Sequence, residues 1–198
     1  MPPHKKIYDL IADVLTYPKQ DYKERVERCK ISLQNYDPPM TGSELSGHPK
    51  TDAASLFSSF ASFVNEKSTH ELEEFYTQTF DFHPVTCLEI GWHLFGESYD
   101  RGAFLVRMRE LLRQHRIEET SELPDHITHV LAVLARMEET EASDFVRTQL
   151  LKAINKMLDG FEGNDNPYKN VLRTLKSLLT QQYPENRKNA FEASESDT

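Results

Sequence analysis

Cysteine, glycine and basic charge are all scarce in this chain of 198 residues. There are only two cysteines, Cys29 and Cys87, which excludes a disulfide-stapled secreted scaffold. Each falls in an apolar helical pattern, as buried thiols do in a reducing compartment. Seven glycines leave little material for phosphate-cradling loops or dinucleotide fingerprints. Neither motif is present, nor is a Gly-x-Ser-x-Gly elbow, so no catalytic centre is visible and an enzyme is not expected. Lys and Arg total 23 against 32 Asp and Glu, a net charge of -9. That balance argues against nucleic acid as a partner, because phosphate contacts need clustered cations, and points instead to a basic partner. Part of the acidity lies in the ending Phe191-Glu-Ala-Ser-Glu-Ser-Asp-Thr198, so the remainder is less acidic than the total. No apolar run approaches a membrane span, and Met1-Pro-Pro-His-Lys-Lys-Ile7 leads into an amphipathic segment without the apolar stretch of a signal peptide. A cytoplasmic protein without direct membrane insertion is the expectation.

What is abundant is apolar residues at helical spacing. Hydrophobic residues make up 38% and charged residues 28%, the balance of a soluble globular protein. The length suits one domain that buries roughly 70% of its unfolded surface. Ile7, Leu10, Ile11, Val14 and Leu15 form one stripe that Pro18 breaks, and Tyr22, Val26, Cys29 and Leu33 form the next. Pro38-Pro39 and the polar stretch Thr41 to Lys50 mark a loop. Leu56 to Val64 predicts an aromatic helix capped by Thr51 or Asp52. Ser68-Thr-His-Glu71 reads as a capping box for a helix carrying Leu72, Phe75, Tyr76 and Phe80. Beyond Pro84, the spacing of Val85, Leu88, Trp92 and Phe95 predicts a shared helix face ended by Gly96.

Phe104 to Leu112 then carries an apolar stripe among Arg107, Arg109, Arg113 and Arg116, giving an acidic protein one basic helix. Pro124 stands near the start of the helix of Ile127, Val130, Leu131, Leu134 and Met137. Phe145, Leu150, Ile154 and Met157 mark another, and Val171 to Leu179 the last, with Gly160 to Pro167 between them. No alternation bounded by hairpin turns occurs. The prediction is an all-α fold, a single compact bundle of roughly eight or nine helices. It occupies residues 1–184, with 185–198 as a disordered acidic tail.

Eight histidines raise a metal reading, since His126 and His129, and likewise His83 and Cys87, stand at spacings that share a helix face. No Cys-x-x-Cys, His-Glu-x-x-His or duplicated Glu-x-x-His completes it, so no metal is expected. Glu89 and His93 read as an ordinary helix-surface pair. Trp92, Phe95, Tyr99, Phe80 and Phe82 concentrate aromatic surface near Glu89, Glu97 and Asp100. An apolar groove rimmed by carboxylates suits an amphipathic peptide helix carrying arginines.

Three ordered motifs carry a resemblance. Phe75-Tyr-Thr-Gln-Thr-Phe-Asp-Phe82, Leu94-Phe-Gly-Glu97 with Arg101-Gly102, and Ser121-Glu-Leu-Pro-Asp-His126 follow the order of the nitrate reductase delta-subunit (NarJ-type) chaperones within the TorD/DmsD group. The helix Arg101 to Leu112 and the opening Tyr8 to Pro18 resemble the same family. The resemblance implies an all-helical, system-specific chaperone that binds the N-terminal or twin-arginine leader segment of a molybdenum oxidoreductase catalytic subunit. It holds that client while molybdenum-bis(molybdopterin guanine dinucleotide) is inserted, before complex formation or export, and carries no permanent cofactor itself.

By the same resemblance Pro124, Asp125 and His126, with Glu122, belong to the leader-binding surface. Asp125 is an acceptor for a leader arginine or an N-terminal acid of the following helix, and His126 a groove residue tuned near neutral pH. Trp92, Phe95, Tyr99, Glu97, Arg101 and Arg107 are further client-contact candidates. The loop Phe82-His-Pro-Val-Thr-Cys87 lacks the family's arginine-rich character, which leaves the client open among related molybdoenzymes. Monomer and domain-swapped dimer are both compatible. The alternatives are a metal-dependent HD-type phosphohydrolase, resting on Asp125-His126, and a permanent oxidoreductase subunit.

Overall fold

The computed structural model describes residues 3–36, 52–161, 163 and 165–184. Its helices are α1 (Pro3–Val14), α2 (Tyr22–Gln34), α3 (Asp52–Glu66), α4 (Thr69–Phe80), α5 (Ile90–Phe95), α6 (Tyr99–Gln114), α7 (Ile127–Leu134), α8 (Glu139–Phe145), α9 (Leu151–Asp159) and α10 (Tyr168–Gln182). The fold is all-α. Extended pairing among the described residues is limited to one isolated bridge. The expected Thr41 to Lys50 loop, the cap of α3 and the tail from 185 onward lie outside what is described. No described helix is long and apolar enough to cross a membrane.

A five-residue π-helical turn, Val146–Leu150, joins α8 to α9 as one continuous helix. Its Leu151 N–H bonds to the Val146 carbonyl five residues back. The sequence stripe explains this turn, because Phe145 and Leu150 are both buried although five apart, a spacing an uninterrupted α-helix would rotate off one face.

The bundle closes around Tyr168 at the start of α10. Its ring lies within 4.8–6.0 Å of Phe60, Phe75, Tyr76 and Phe80, joining α3, α4 and α10 through aromatic contacts of favourable geometry. Tyr22 donates to the Val14 carbonyl at 2.8 Å, so the 3.1 Å contact between the Tyr22 and Tyr168 hydroxyls is donated by Tyr168. Tyr76 donates to the Leu15 carbonyl at 3.1 Å, and this fixes the end of α1 against α4. The capping box forms as read: the Glu71 N–H donates to Ser68 Oγ at 3.3 Å and the Ser68 N–H to Glu71 Oε2 at 2.8 Å.

The expected face of Val85, Leu88, Trp92 and Phe95 does not form. The helix begins only at Ile90, and Val85 is exposed while Leu88 is buried. Residues 83–89 form a turn and an extended bridge instead. The Thr86 hydroxyl holds the segment to the Thr79 carbonyl, and Gly160 packs so close to the Val85 carbonyl that a side chain there would overlap it. Cys87 therefore lies just after a turn and not on a helix. Gly96 ends α5 as anticipated, with φ 62° and ψ -148°, a region only glycine enters freely.

Candidate functional site

The Leu123 to Ile127 segment is built first as a turn. The His126 N–H donates to the Leu123 carbonyl at 2.9 Å across Pro124, whose fixed φ suits the second position of such a turn. The chain then pairs with the segment before α5. Ile90 N–H donates to the Asp125 carbonyl and Ile127 N–H to the Leu88 carbonyl, both at 2.8 Å, bracketing an antiparallel bridge between Glu89 and His126. Residues directly opposite in such a pair have their side chains on one face, and their neighbours point the other way. Leu88, Ile90, Asp125 and Ile127 are accordingly buried, and Glu89 and His126 share a face.

Asp125 is the inward residue with chemistry. It is fully buried, and its Oδ2 accepts from Arg101 Nε at 3.2 Å. The Arg101 guanidinium also lies 5.4 Å from the centre of the Trp92 ring, a cation–π arrangement. Ser98 caps α6 by accepting from the Arg101 N–H at 3.4 Å, which places this arginine in the first turn of the helix. Burial pushes the Asp125 carboxyl up and the Arg101 charge pulls it back. The pair ties α6 to the segment carrying Glu89 and His126. Asp125, expected as a surface acceptor or helix cap, is neither: its carboxylate serves an internal ion pair, and the cap of α7 is His126.

His126 accepts at Nδ1 from the Thr128 N–H at 3.4 Å, and the Thr128 hydroxyl lies 2.7 Å from the same nitrogen. The ring is therefore the tautomer protonated at Nε2. Burial lowers its pKa to about 4, so it stays neutral through the physiological range, in place of the near-neutral titration expected. His129 accepts at Nε2 from the Thr120 N–H at 3.2 Å, and its Nδ1 lies 2.9 Å from the Leu123 carbonyl, to which it donates. Asp125 and His126 point to opposite faces of an extended segment, so the dipeptide behind the hydrolase alternative does not present two ligands to one point. Among the described residues no group of three potential metal ligands assembles.

The outward face opens into a pocket of about 360 Å³ lined by Tyr17, Tyr76, Phe80, Leu88, Ser121, His126 and the three acids Asp81, Glu89 and Glu122. Its floor is aromatic and aliphatic, and its rim is acidic. Burial pushes the Glu122 carboxyl up, and the charges of Glu89 and Asp81 add to that. Burial likewise raises Asp81, against a hydrogen bond from Thr77 and with Glu89 adding to the rise. Among the described residues no Lys or Arg lines the pocket, so the three carboxylates face one another there without a described cation.

The other anticipated residues stand elsewhere. Phe95 packs on Phe104 with ring centres 5.6 Å apart, Tyr99 is fully exposed, Glu97 is exposed at the α5–α6 corner, and Arg107 is exposed midway along α6. Neither these four nor Trp92 lines the acidic pocket. Glu89 and His93 form no acid–base couple, because buried His93 places its Nε2 2.8 Å from the Cys87 carbonyl. Burial pushes the Cys87 thiol up to about 12, leaving it protonated and unreactive. Tyr17, Tyr76, Asp81, Leu88 and Ser121 are pocket residues that the sequence did not single out as contacts. Tyr17 stands directly before Pro18, where the first apolar stripe breaks.

Residues 48–173 match the family model described as nitrate reductase delta subunit. The chain belongs to that family. It is 25% identical over 173 residues, 87% of either chain, to a probable nitrate reductase molybdenum cofactor assembly chaperone NarJ of Bacillus subtilis (strain 168). It is 34% identical over 98 residues, 48% of this chain and 40% of the relative, to the nitrate reductase molybdenum cofactor assembly chaperone NarJ of Escherichia coli (strain K12). This delta-subunit chain carries its three ordered motifs on α4, on the α5–α6 corner and on the bridge segment, which meet around the Arg101–Asp125 pair and the acidic pocket.

Proposed function

We propose that this delta-subunit family member is a cytoplasmic, client-specific assembly chaperone and not itself a catalyst. It binds the N-terminal segment of the catalytic subunit of a nitrate reductase or a related molybdenum oxidoreductase. It keeps that subunit open while the molybdopterin guanine dinucleotide cofactor is inserted, before the enzyme joins its complex or enters twin-arginine export. The observation that carries this reading is the match to a NarJ assembly chaperone along 87% of both chains, so the likeness covers nearly the whole body and not one motif.

The site supports the same reading. A concave surface with an aromatic floor and an acidic rim suits an amphipathic, basic segment held by apolar contact with charge at the edges. The cofactor belongs to the client in this scheme, and the chain contributes holding and timing.

The test is a deletion of this chain in its host, grown under conditions that induce molybdoenzyme respiration. One molybdoenzyme catalytic subunit should accumulate with little molybdenum and little activity, and recover both when the chain is restored. Full activity of every molybdoenzyme in the deletion strain would refute the proposal.

A further inference from the structure

Helix α6 turns one face into the bundle and leaves the other exposed. Its buried stripe is Phe104, Met108, Leu111 and Leu112. At 3.6 residues per turn, Tyr99, Gly102, Ala103, Val106, Glu110 and Arg113 lie within about 60° of one direction on the opposite side. All six are exposed, Tyr99 fully and Val106 by 58%. The N-terminal half of that face is uncharged. Around it, Glu97 and Asp100 stand at the N-terminal end, and Arg107 and Arg113 toward the C-terminal end with Glu110 between them. Arg109 is held by Glu119 at 3.0 Å. The side chains of Glu97, Asp100, Arg107, Glu110 and Arg113, by contrast, have no ion pair or hydrogen bond among the described residues.

Acids in the first turn of a helix and bases in the last suit its dipole, and exposed charges are ordinarily just solvated. Two features of this face go beyond that. Gly102 stands inside the helix, where glycine is the poorest helix former after proline. Nothing in the chain uses the space it leaves, since no described atom lies within 4 Å of its Cβ position. A glycine so placed lets a second backbone come close. Tyr99 and Val106 flank it as apolar surface that no described part of the chain covers.

We propose that this face is a self-association surface, on which a second copy of the chain packs α6 against α6, antiparallel about a two-fold axis. Charge complementarity selects that occupant and that direction. With Ala103 of one copy opposite Val106 of the other, the same register sets Tyr99 opposite Glu110, Asp100 beside Arg107 and Glu97 beside Arg113 of the second copy. The two-fold repeats each pair on the other side of the axis. A parallel arrangement would put arginine on arginine and acid on acid. Gly102 lets the helices close in, and the Tyr99 ring and Val106 are covered. One helix face per copy is at the low end of what specific interfaces bury, so the association is weak, with a Kd on the order of 10 µM. Glu97, Tyr99 and Arg107 thereby serve the second copy and not the client. No residue of α6 lines the acidic pocket, so pairing leaves that pocket open in both copies, and the inference stands apart from the chaperone reading.

The experiment is sedimentation velocity on the full chain from about 1 to 300 µM, at low salt where charge pairs are least screened. The native chain should pass from monomer to dimer across that range. Asp100→Arg and Arg107→Glu, each alone, set like charges against each other twice and should weaken the dimer on the order of tenfold or more. An equal mixture of the two variants makes both pairs complementary again and should associate as the native chain does, which also shows that each variant is folded. A native chain that stays monomeric throughout would overturn the proposal. So would a dimer indifferent to both single variants, as one formed by exchanging helices would be, or a mixture that associates no better than its components. None of these outcomes touches the chaperone reading, which stands or falls on the client.

Discussion

Gly91→Ala is expected to destabilise the protein, and the reason is local and steric. A Cβ at position 91 would stand 2.6 Å from Asp125 Oδ2 and 2.8 Å from Phe104 Cδ1, well inside van der Waals contact. Asp125 cannot retreat easily, because its carbonyl is held by the Ile90 N–H and its carboxylate by Arg101, and Phe104 is buried. Overpacking of this kind costs about 1–3 kcal/mol, against a gain of up to about 1 kcal/mol for replacing glycine within a helix. A net loss of roughly 1–2 kcal/mol follows, which at a urea dependence of about 2 kcal/mol per molar lowers the midpoint by about 0.5–1 M. Gly102→Ala supplies the opposite sign. Gly102 is exposed on α6 with nothing within 4 Å of its Cβ position, so it should gain up to about 1 kcal/mol. Urea titrations of the two variants beside the native protein decide the matter. An unchanged or raised midpoint for Gly91→Ala would refute the packing argument at this node.

Arg101→Leu should cost about 3 kcal/mol at neutral pH because it strands a buried carboxylate, whereas Asp125→Asn should cost less, since the freed arginine can reach water. The Asp125 carboxyl is raised by burial and would rise further without Arg101. Its penalty is therefore full above the folded pKa and fades as pH falls toward the unfolded value, so the deficit of Arg101→Leu measured by urea should shrink as pH is lowered from neutral toward the ordinary aspartate range. Glu71 behaves oppositely. Hydrogen bonds from the Ser68 backbone and hydroxyl and from Lys67 depress its carboxyl to about 2, so its contribution is present above the ordinary carboxylate value near 4.3 and lost as pH falls through the folded one. In thermal melts the gap between native and Glu71→Gln should narrow as pH is lowered from about 5 to 3 and close only near pH 2. Tyr168→Ala should cost about 3–5 kcal/mol in the same urea assay through loss of the ring that joins α3, α4 and α10. Tyr168→Phe should cost only about 1 kcal/mol for the hydroxyl contact with Tyr22.

The parts of this structure that a reader of the sequence could see are those written in local periodicity. The stripes of α1 and α2, the capping box at Ser68 and the glycine ending α5 each depend on residues within one or two turns. Even the π turn is foreshadowed by the five-residue step from Phe145 to Leu150. Segment 83–89 misled because Val85, Leu88, Trp92 and Phe95 match a helical template, while what sets the backbone there is remote: the Asp125 and Ile127 pairing, the Thr79 carbonyl and the approach of Gly160. Asp125 misled for a related reason. An acid after a proline and before a helix reads as exposed, and only the arrival of Arg101 from α6 makes its burial tolerable. Two of the ordered motifs, Phe75 to Phe82 and Ser121 to His126, both reach the pocket. Tyr17 joined it through the Tyr76 to Leu15 hydrogen bond, which no local pattern encodes.

The central claim, that this chain matures a molybdoenzyme by holding its catalytic subunit before cofactor insertion, is tested most directly by affinity capture. The full tagged chain is recovered from its own host under respiratory induction, bound proteins are identified by mass spectrometry, and molybdenum is measured in the eluate. The account predicts one molybdoenzyme catalytic subunit, bound in a form poor in molybdenum and lost when the client's N-terminal segment is removed. Recovery of no such subunit, or of a subunit already full of molybdenum and indifferent to that truncation, would contradict it.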